Sequence, residues 1–366
     1  LHENVMASDV KVLAHDPLVS ALLDPTSWTS IPLDFGLQAE YGGAFCCDPF
    51  SGCLWLFPSP EDDILRIAHG SMSSLPLQKY PIVTVEAAMT KSFQDLGFKD
   101  YPSASCVASL GGVRYLIIAF HTYLVRVPIT TSPNNPSTLF AGQPHLTKDK
   151  TPVDGPLLKA SFGITVDMVS LSLPTLKQNN DSIIFLADEW NFTIRMLSAG
   201  HVSTIAGNPK GLPGHLDGPL LSQNGINGCS FCSLKSLSVS HDSKYLFVHD
   251  RNSLRRLELD FSTNHSKSVC TTLPIRLKDS YHYSSISCLP NGSIIACDRN
   301  SISIYSSNGD LIGSIDLPSK HTTVPLSIAC TQFNPSSPTS LAYAISVAGR
   351  QSVIITFDPL KYSKIS

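Results

Sequence analysis

Three groups of residues have the types and spacing for chemistry. Cys229-Ser230-Phe231-Cys232 is a Cys-x-x-Cys pair, a spacing shared by zinc sites and redox-active thiols. A zinc site wants a second such pair or suitably spaced histidines, and a redox motif wants a βαβ setting. Neither accompanies this pair, so its thiols read as members of structural bridges in a loop. Asp188, Asp250 and Asp298 recur after short apolar runs, where they could face one channel mouth and hold zinc or calcium. An aspartate in that place also accepts hydrogen bonds from the backbone of the following turn, and the turn role is preferred. The 12 histidines are dispersed, with His241, His249 and His265 nearest one another. Glu61-Asp62-Asp63 offers calcium-type oxygens, although such clusters are commonly only solvated. Gly-x-Ser-x-Gly, His-Glu-x-x-His, a phosphate-loop lysine and Gly-x-Gly-x-x-Gly after a strand are all missing. No catalytic residue and no metal ligand is therefore assigned.

The elements that must position these residues are strands. Ser182-Ile183-Ile184-Phe185-Leu186-Ala187-Asp188 is an apolar, β-branched run. Thr193 to Leu197 follows after a polar turn, His201 to Gly207 closes the set, and Gly214-His215-Leu216-Asp217-Gly218-Pro219 leads onward. An earlier copy reads Ser137-Thr138-Leu139-Phe140-Ala141-Gly142, then Val153-Asp154-Gly155-Pro156-Leu157-Leu158. A supersecondary unit is repeated, and repeated four-strand units mean a propeller.

These residues resemble the NHL family of β-propeller repeats. Val202 to Gly207, Asp217-Gly218, Asp188 and Ile194-Arg195 occupy the family's blade ending, connector, aspartate and isoleucine-arginine places. Asp154-Gly155 with Ala160-x-Phe162 supply the preceding connector. The match covers the third blade and its two junctions. It implies a fold, structural roles for Asp154, Gly155, Asp188, Gly207, Asp217 and Gly218, and a strand-bridging role for Arg195. It implies little about activity, since one fold hosts many.

Charged residues make up 15% of the chain and the net charge is only −3, which gives no electrostatic footprint for nucleic acid or anionic lipid. Something other than charge must solvate the surface. Sequons at Asn180, Asn191, Asn264 and Asn291 fall in expected turns or strand starts and suggest N-linked glycans. The cysteines, Cys46, Cys47, Cys53, Cys106, Cys229, Cys232, Cys270, Cys288, Cys297 and Cys330, are an even, dispersed set of 10. They suit disulfides in an oxidising, extracellular space, with connectivity open; buried cytosolic thiols are the competing reading. Cys46 and Cys47 should point to opposite faces of one strand. A start at Leu1 fits removal of a signal peptide or a chosen chain boundary. The longest strong apolar run, Tyr115 to Phe120, is strand-sized, so no membrane insertion is expected.

The expected fold is all-β: a six-bladed propeller of four-stranded antiparallel blades. Residues 1–37 form an N-terminal segment supplying the closing strand, and 38–366 form the propeller. Blades fall near 38–78, 103–142, 162–207, 233–273, 283–317 and 326–359. In the first, strands are expected around Tyr41–Cys47, Cys53–Phe57, Asp63–His69 and Ser73–Leu77. The third carries an insertion, Pro174–Asp181. The fifth contains Pro290-Asn291-Gly292-Ser293, read as a type I′ turn that pairs Cys288 with Ile295. The sixth lacks a fourth strand, which Val10–Ala14 or the region near Ile31 could supply, sealing the ring and hiding its sheet edges. Val83–Met89 reads as an extra strand or a short helix outside the ring.

Two functions follow from these residues. The first is a secreted, glycosylated, disulfide-bonded propeller that binds a protein partner or self-associates, needs no cofactor and is not an enzyme. The alternative is an extracellular propeller enzyme of the amidating-lyase or strictosidine-synthase/lactonase kind with a channel-bound zinc or calcium. An intracellular ubiquitin-ligase scaffold is disfavoured by the lack of a basic RNA-binding face. Trp190, in a turn, is a candidate partner anchor.

Overall fold

A computed structural model of the chain describes residues 103–129, 138–144, 152–172, 181–221, 228–261, 268–277, 285–289, 291–297 and 301–316, together with the strands named below that lie outside those ranges. Strand β1 (Thr29–Leu33) comes first, then β2 (Phe45–Cys47), β3 (Leu54–Leu56), β4 (Leu65–Ile67) and β5 (Tyr80–Pro81), which pair in that order. The next sheet is β6 (Ala104–Leu110), β7 (Val113–Phe120), β8 (Tyr123–Pro128) and β9 (Thr138–Gly142). A connector then carries β10 (Gly155–Pro156), which pairs with the outer edge of the sheet that follows: β11 (Thr165–Leu171), β12 (Ile183–Asp188), β13 (Thr193–Ser198) and β14 (His201–Gly207). The pattern repeats with β15 (Gly218–Pro219), β16 (Leu234–Val239), β17 (Tyr245–Asp250), β18 (Ser253–Glu258) and β19 (Val269–Arg276). β20 (Ser285–Cys288), β21 (Ile294–Cys297), β22 (Ser301–Tyr305) and β23 (Leu311–Asp316) form a further sheet. β24 (Leu326–Cys330), β25 (Ala342–Ala348) and β26 (Gln351–Phe357) complete the order, with β1 antiparallel to β26. Every described element is a strand.

One edge strand of each sheet touches the corresponding edge strand of the next, from β6 through β11, β16 and β20 to β24, and β2 touches both β6 and β24. Sheets arranged radially in this way make an all-β propeller. Four blades, β6–β9, β10–β14, β15–β19 and β20–β23, are described with their side chains. They keep the sequence numbering here as blades two to five.

The strand sequences explain the stacking. β12 is buried along its whole length, and its side chains alternate between two neighbours. Ile184 and Leu186 join an apolar cluster with Ile117, Leu124 and Phe140 of blade two. Ile183, Phe185 and Ala187 join a second cluster with Leu237, Leu246 and Val248 of blade four. A strand covered on both faces has no reason to alternate apolar with polar, hence the unbroken run.

Three details differ from the sequence expectations. The fourth strand of the first sheet is Tyr80–Pro81, paired with Leu65 and Arg66, rather than Ser73–Leu77; as the outer strand it tolerates a proline that cannot donate to a ladder. In blade five Cys288 pairs with Ile294, not Ile295. Of Asn291 and Gly292 only Gly292 has a positive φ, 85°, whereas a type I′ turn needs both. Leu289 N–H donates to the Ser293 carbonyl at 2.8 Å, so the loop is one residue longer, and the proline ahead of Asn291 favours the type I geometry such loops use. Cys297 sits opposite Ser285, far along the ladder from Cys288. The strand at β26 is Thr29–Leu33. Val10–Ala14, Ser73–Leu77, Val83–Met89 and Asp298 lie outside the described residues.

Candidate metal centre

Blades three and four are each pinned at one edge by an arginine that the fold buries completely. Arg195, third residue of β13, donates through Nη1 to the Ser161 carbonyl at 2.9 Å and to Asp188 Oδ2 at 3.4 Å. Its Nη2 donates to the Val153 carbonyl at 3.0 Å and to Asp154 Oδ1 at 2.8 Å. Arg255, third residue of β18, does the same with the Ser230 carbonyl at 3.1 Å, Asp250 Oδ2 at 3.1 Å, the Leu216 carbonyl at 2.7 Å and Asp217 Oδ1 at 2.8 Å. Each guanidinium lies over a connector phenylalanine, 5.4 Å from the Phe162 ring and 5.3 Å from the Phe231 ring, a favourable cation–π placement.

The connector aspartates close the lock. Asp154 accepts from the backbone and hydroxyl of Thr204, both at 2.9 Å. Asp217 accepts from Thr272 at 2.9 and 2.8 Å. Burial opposes charge on Asp217, but the Thr272 donors and Arg255 outweigh it and hold its carboxyl below the usual range. The residue after each aspartate is Gly155 or Gly218, with φ of 142° and 138°, a conformation that favours glycine. Gly207 ends β14 at φ 104°, where a Cβ would sit 2.5 Å from the Phe192 carbonyl oxygen.

Against this shared frame the two junctions differ in what surrounds the buried strand-end aspartate. Asp188 accepts from Gly163 N–H at 3.1 Å and from Asn191 Nδ2 at 2.8 Å; burial pushes its carboxyl up, opposed by those donors and by Arg195. Asp250 instead accepts from the backbone of Cys232 and Ser233, at 2.9 and 2.8 Å. The Cys232 thiol lies 3.4 Å from Oδ1 and His215 Nδ1 lies 3.2 Å from Oδ2. His215 stands where the other connector has Pro152, and Cys232 where it has Gly163.

Turn length explains the exchange. The turn from β12 to β13 runs Glu189 to Phe192, and a Cβ on Gly163 would meet Trp190 Cβ at 2.6 Å. The turn from β17 to β18 is only Arg251-Asn252, which leaves room for the Cys232 side chain. His215, Cys232 and Asp250 thus offer a nitrogen, a sulfur and a carboxylate oxygen within 4.8 Å of one another.

That donor set suits zinc, which takes all three atom types, and not calcium, which takes oxygen alone. Tetrahedral zinc ligands stand roughly 3.3–3.8 Å apart given usual bond lengths, so the three atoms must draw in slightly. His215, with a 44% exposed side chain, has room to do so. Arg255 Nη1 donates to the same Asp250 Oδ2 that faces His215 and lies 3.4 Å from His215 Nδ1, so it orients the carboxylate from beside the cluster. Burial, then the charge of Asp250, pushes the Cys232 thiol up to about 11. A metal there must displace that proton.

The remaining sequence candidates are spread apart. His249 is buried with Nε2 2.8 Å from the Arg251 carbonyl, and His241 lies at the opposite end of β17; His265 and Glu61-Asp62-Asp63 are outside the described residues. Asn191 is a correction. Its side chain is buried and its Nδ2, the atom a glycan would need, is bonded to Asp188. Nδ2 of Asn291 is also buried, and Asn180 and Asn264 are outside the described residues. Among the described cysteines, Cys106, Cys229, Cys232 and Cys270 stand as thiols. Cys47, Cys297 and Cys330 are described by their strand backbone alone, and Cys53 is not described. Trp190 is 47% exposed in its turn. Sequence reasoning missed His215 and Arg255. The signal for both was the alignment of the two connectors, hidden because Arg255 follows its aspartate more closely than Arg195 does.

Fold and site together define a β-propeller with a His–Cys–Asp cluster where a connector meets the end of a strand. No family model and no curated protein matches the chain. Solved structures of similar fold include regucalcin, a calcium-binding protein from Agrobacterium tumefaciens, at 14% identity over 90% of this chain and 92% of that one, TM-score 0.51. A candidate gluconolactonase is similar at 12% identity over 91% and 94%, TM-score 0.51. A streptogramin B lyase is similar at 9% identity over 90% and 98%, TM-score 0.50. At these identities the likeness shows the propeller fold. No helix among the described residues is long and apolar enough to cross a membrane.

Proposed function

We propose that the chain is an extracellular propeller enzyme of the hydrolase or lyase kind. Its six sheets close into one ring of six blades sealed by β1, and a zinc ion is held by His215, Cys232 and Asp250. The observation that carries this reading is the convergence of three unlike ligand atoms within 4.8 Å at a half-open position. Three protein ligands leave a fourth position free, the arrangement of catalytic rather than structural zinc. When bound, zinc supplies Lewis-acid polarisation of a substrate oxygen and acidifies a water. The chain's own groups bind and orient. Arg255 fixes the Asp250 carboxylate, and the exposed His215 marks the side from which a substrate approaches. A lactone or other cyclic ester is the substrate class favoured, since proteins of this fold include a candidate gluconolactonase and a lyase acting on streptogramin B.

The test is zinc content followed by turnover on a panel of lactones and esters, for the wild type and for His215→Ala and Cys232→Ser. Turnover that disappears in both variants is expected. A fully zinc-loaded chain that turns over none of the panel would remove the enzymatic reading. Secretion is tested separately by glycan occupancy at Asn180 and Asn264 after expression through a secretory pathway.

A protein-binding or self-assembling module is the second reading. It is favoured by exposed apolar side chains on the connectors and their turn: Val153, Leu158, Trp190, Leu212 and Leu216. Light scattering on unreduced protein distinguishes the two, since a persistent monomer leaves that reading without support.

A further inference from the structure

We propose that Cys229 and Cys270 form a disulfide that fastens the connector ahead of blade four to that blade's outer strand. Both residues are anchored to the same two-residue strand. Cys270 is in register with Gly218 of β15, and Cys229 N–H donates to the carbonyl of Pro219 at 2.6 Å. Both are 1% exposed and belong to one apolar cluster. The Cys229 thiol donates to the Leu220 carbonyl at 3.3 Å, and the interaction of the two thiols makes Cys229 the more acidic and Cys270 the less acidic of the two.

The preceding junction shows that the backbone does not require cysteine at either place. There Ala160 N–H donates to the Pro156 carbonyl at 3.0 Å and Gly155 is in register with Val202. Ala160 and Val202 are just as buried, at 0% and 2%. An apolar pair therefore fills this space adequately. Buried single cysteines commonly serve as small hydrophobes, but here both members of one contacting pair are thiols.

The chemistry balances with a low-molecular-mass disulfide as oxidant. The Cys229 thiolate attacks that disulfide and expels one thiol. The Cys270 thiolate then attacks the mixed disulfide at the Cys229 sulfur and expels the second. Two protein thiols lose two protons and two electrons, and the oxidant becomes two thiols. Because both sulfurs are buried in the folded blade, the exchange belongs to folding, before β15 docks. The closed loop spans the whole of β16 to β18, so the bond restricts the unfolded chain appreciably.

The experiment folds the chain with and without glutathione disulfide, blocks remaining thiols with an alkylating agent under denaturing conditions, and maps peptides without reduction. The expected result is a linked peptide joining Cys229 to Cys270, lost on reduction, with a thermal midpoint that falls when reductant is added. The double variant Cys229→Ala with Cys270→Val recreates the Ala160/Val202 pair. It should fold, and the part of the reductant response due to this bond should vanish. Alkylation of both cysteines after oxidative folding, linkage of either to another cysteine, or an identical reductant response in variant and wild type would overturn the proposal. None of these outcomes depends on zinc.

Discussion

Blades three and four present the same lock twice, and the comparison shows which parts of it are frame and which are free to change. Arginine, strand-end aspartate, connector aspartate, phenylalanine and threonine repeat with matching distances. The positions that differ are Pro152 against His215, Gly163 against Cys232, and, away from the buried strand-end carboxylate, Ala160 with Val202 against Cys229 with Cys270. One junction spends its space on Trp190 and Asn191, while the other uses a shorter turn and admits reactive side chains. Blades two and five have Val125 and Ser303 on the corresponding strand. Among the four blades described with their side chains, the arginine lock is therefore found in these two and is not a demand of the fold.

The largest effects should come from breaking the frame. Arg195→Met and Arg255→Met each strand a buried aspartate without its guanidinium. Urea unfolding should show losses of about 3–5 kcal/mol for each. Near-equal losses support the equivalence of the two locks, and a loss at only one would break it.

Next is an exchange between the frames. Gly163→Cys must push against Trp190 Cβ and should cost about 1–3 kcal/mol, whereas Cys232→Gly should cost about 1 kcal/mol or less. Combining Gly163→Cys with Trp190→Gly, which removes the clashing Cβ, should recover part of the first loss. Additive losses in that double variant would show that turn length does not control the space.

The interface between the two blades carries a pH signature. Asp167 on β11 accepts from the Ser236 hydroxyl at 2.7 Å and Leu237 N–H at 2.8 Å on β16. Burial nonetheless raises its carboxyl to about 6. Its folded affinity for a proton exceeds the unfolded one, so the folded state binds more protons between about pH 4 and 6. This group's contribution to stability is present at the acid end and lost as pH rises through that window. Asp167 remains partly accessible, so the change is on the order of 1–3 kcal/mol. Asp167→Asn should remove that slope; an unchanged slope would mean other groups set it.

The smallest stability effect should be at His215. Its exposed ring contributes little packing, so His215→Ala should lie within about 0.5 kcal/mol of wild type while zinc affinity falls at least about tenfold.

Much of the frame was legible in the sequence. The apolar run at Ile183–Ala187, the repeated Asp-Gly connectors and the strand-end aspartates are short-range patterns fixed by backbone needs. What was not legible depends on contacts across connectors. His215 reads as one residue of a polar loop until Asp250 is seen beneath it. Cys229 reads as the partner of Cys232 in a Cys-x-x-Cys pair, yet the two turn to different neighbours, Cys270 and Asp250. The hairpin at Asn291-Gly292 misled because the proline before it favours the longer loop. The sequon at Asn191 misled because a turn residue was assumed to face water, and the arginine lock draws it inward.

The most direct test of the central claim is cobalt titration of the zinc-free chain, followed by absorption spectroscopy at neutral pH. One equivalent per chain, with a thiolate-to-cobalt charge-transfer band that disappears in Cys232→Ser and weakens in His215→Ala, is the predicted result. The band should fade in acid, as the Cys232 thiol regains its proton. Substoichiometric binding, or a thiolate band unchanged in Cys232→Ser, would contradict a metal centre at His215, Cys232 and Asp250.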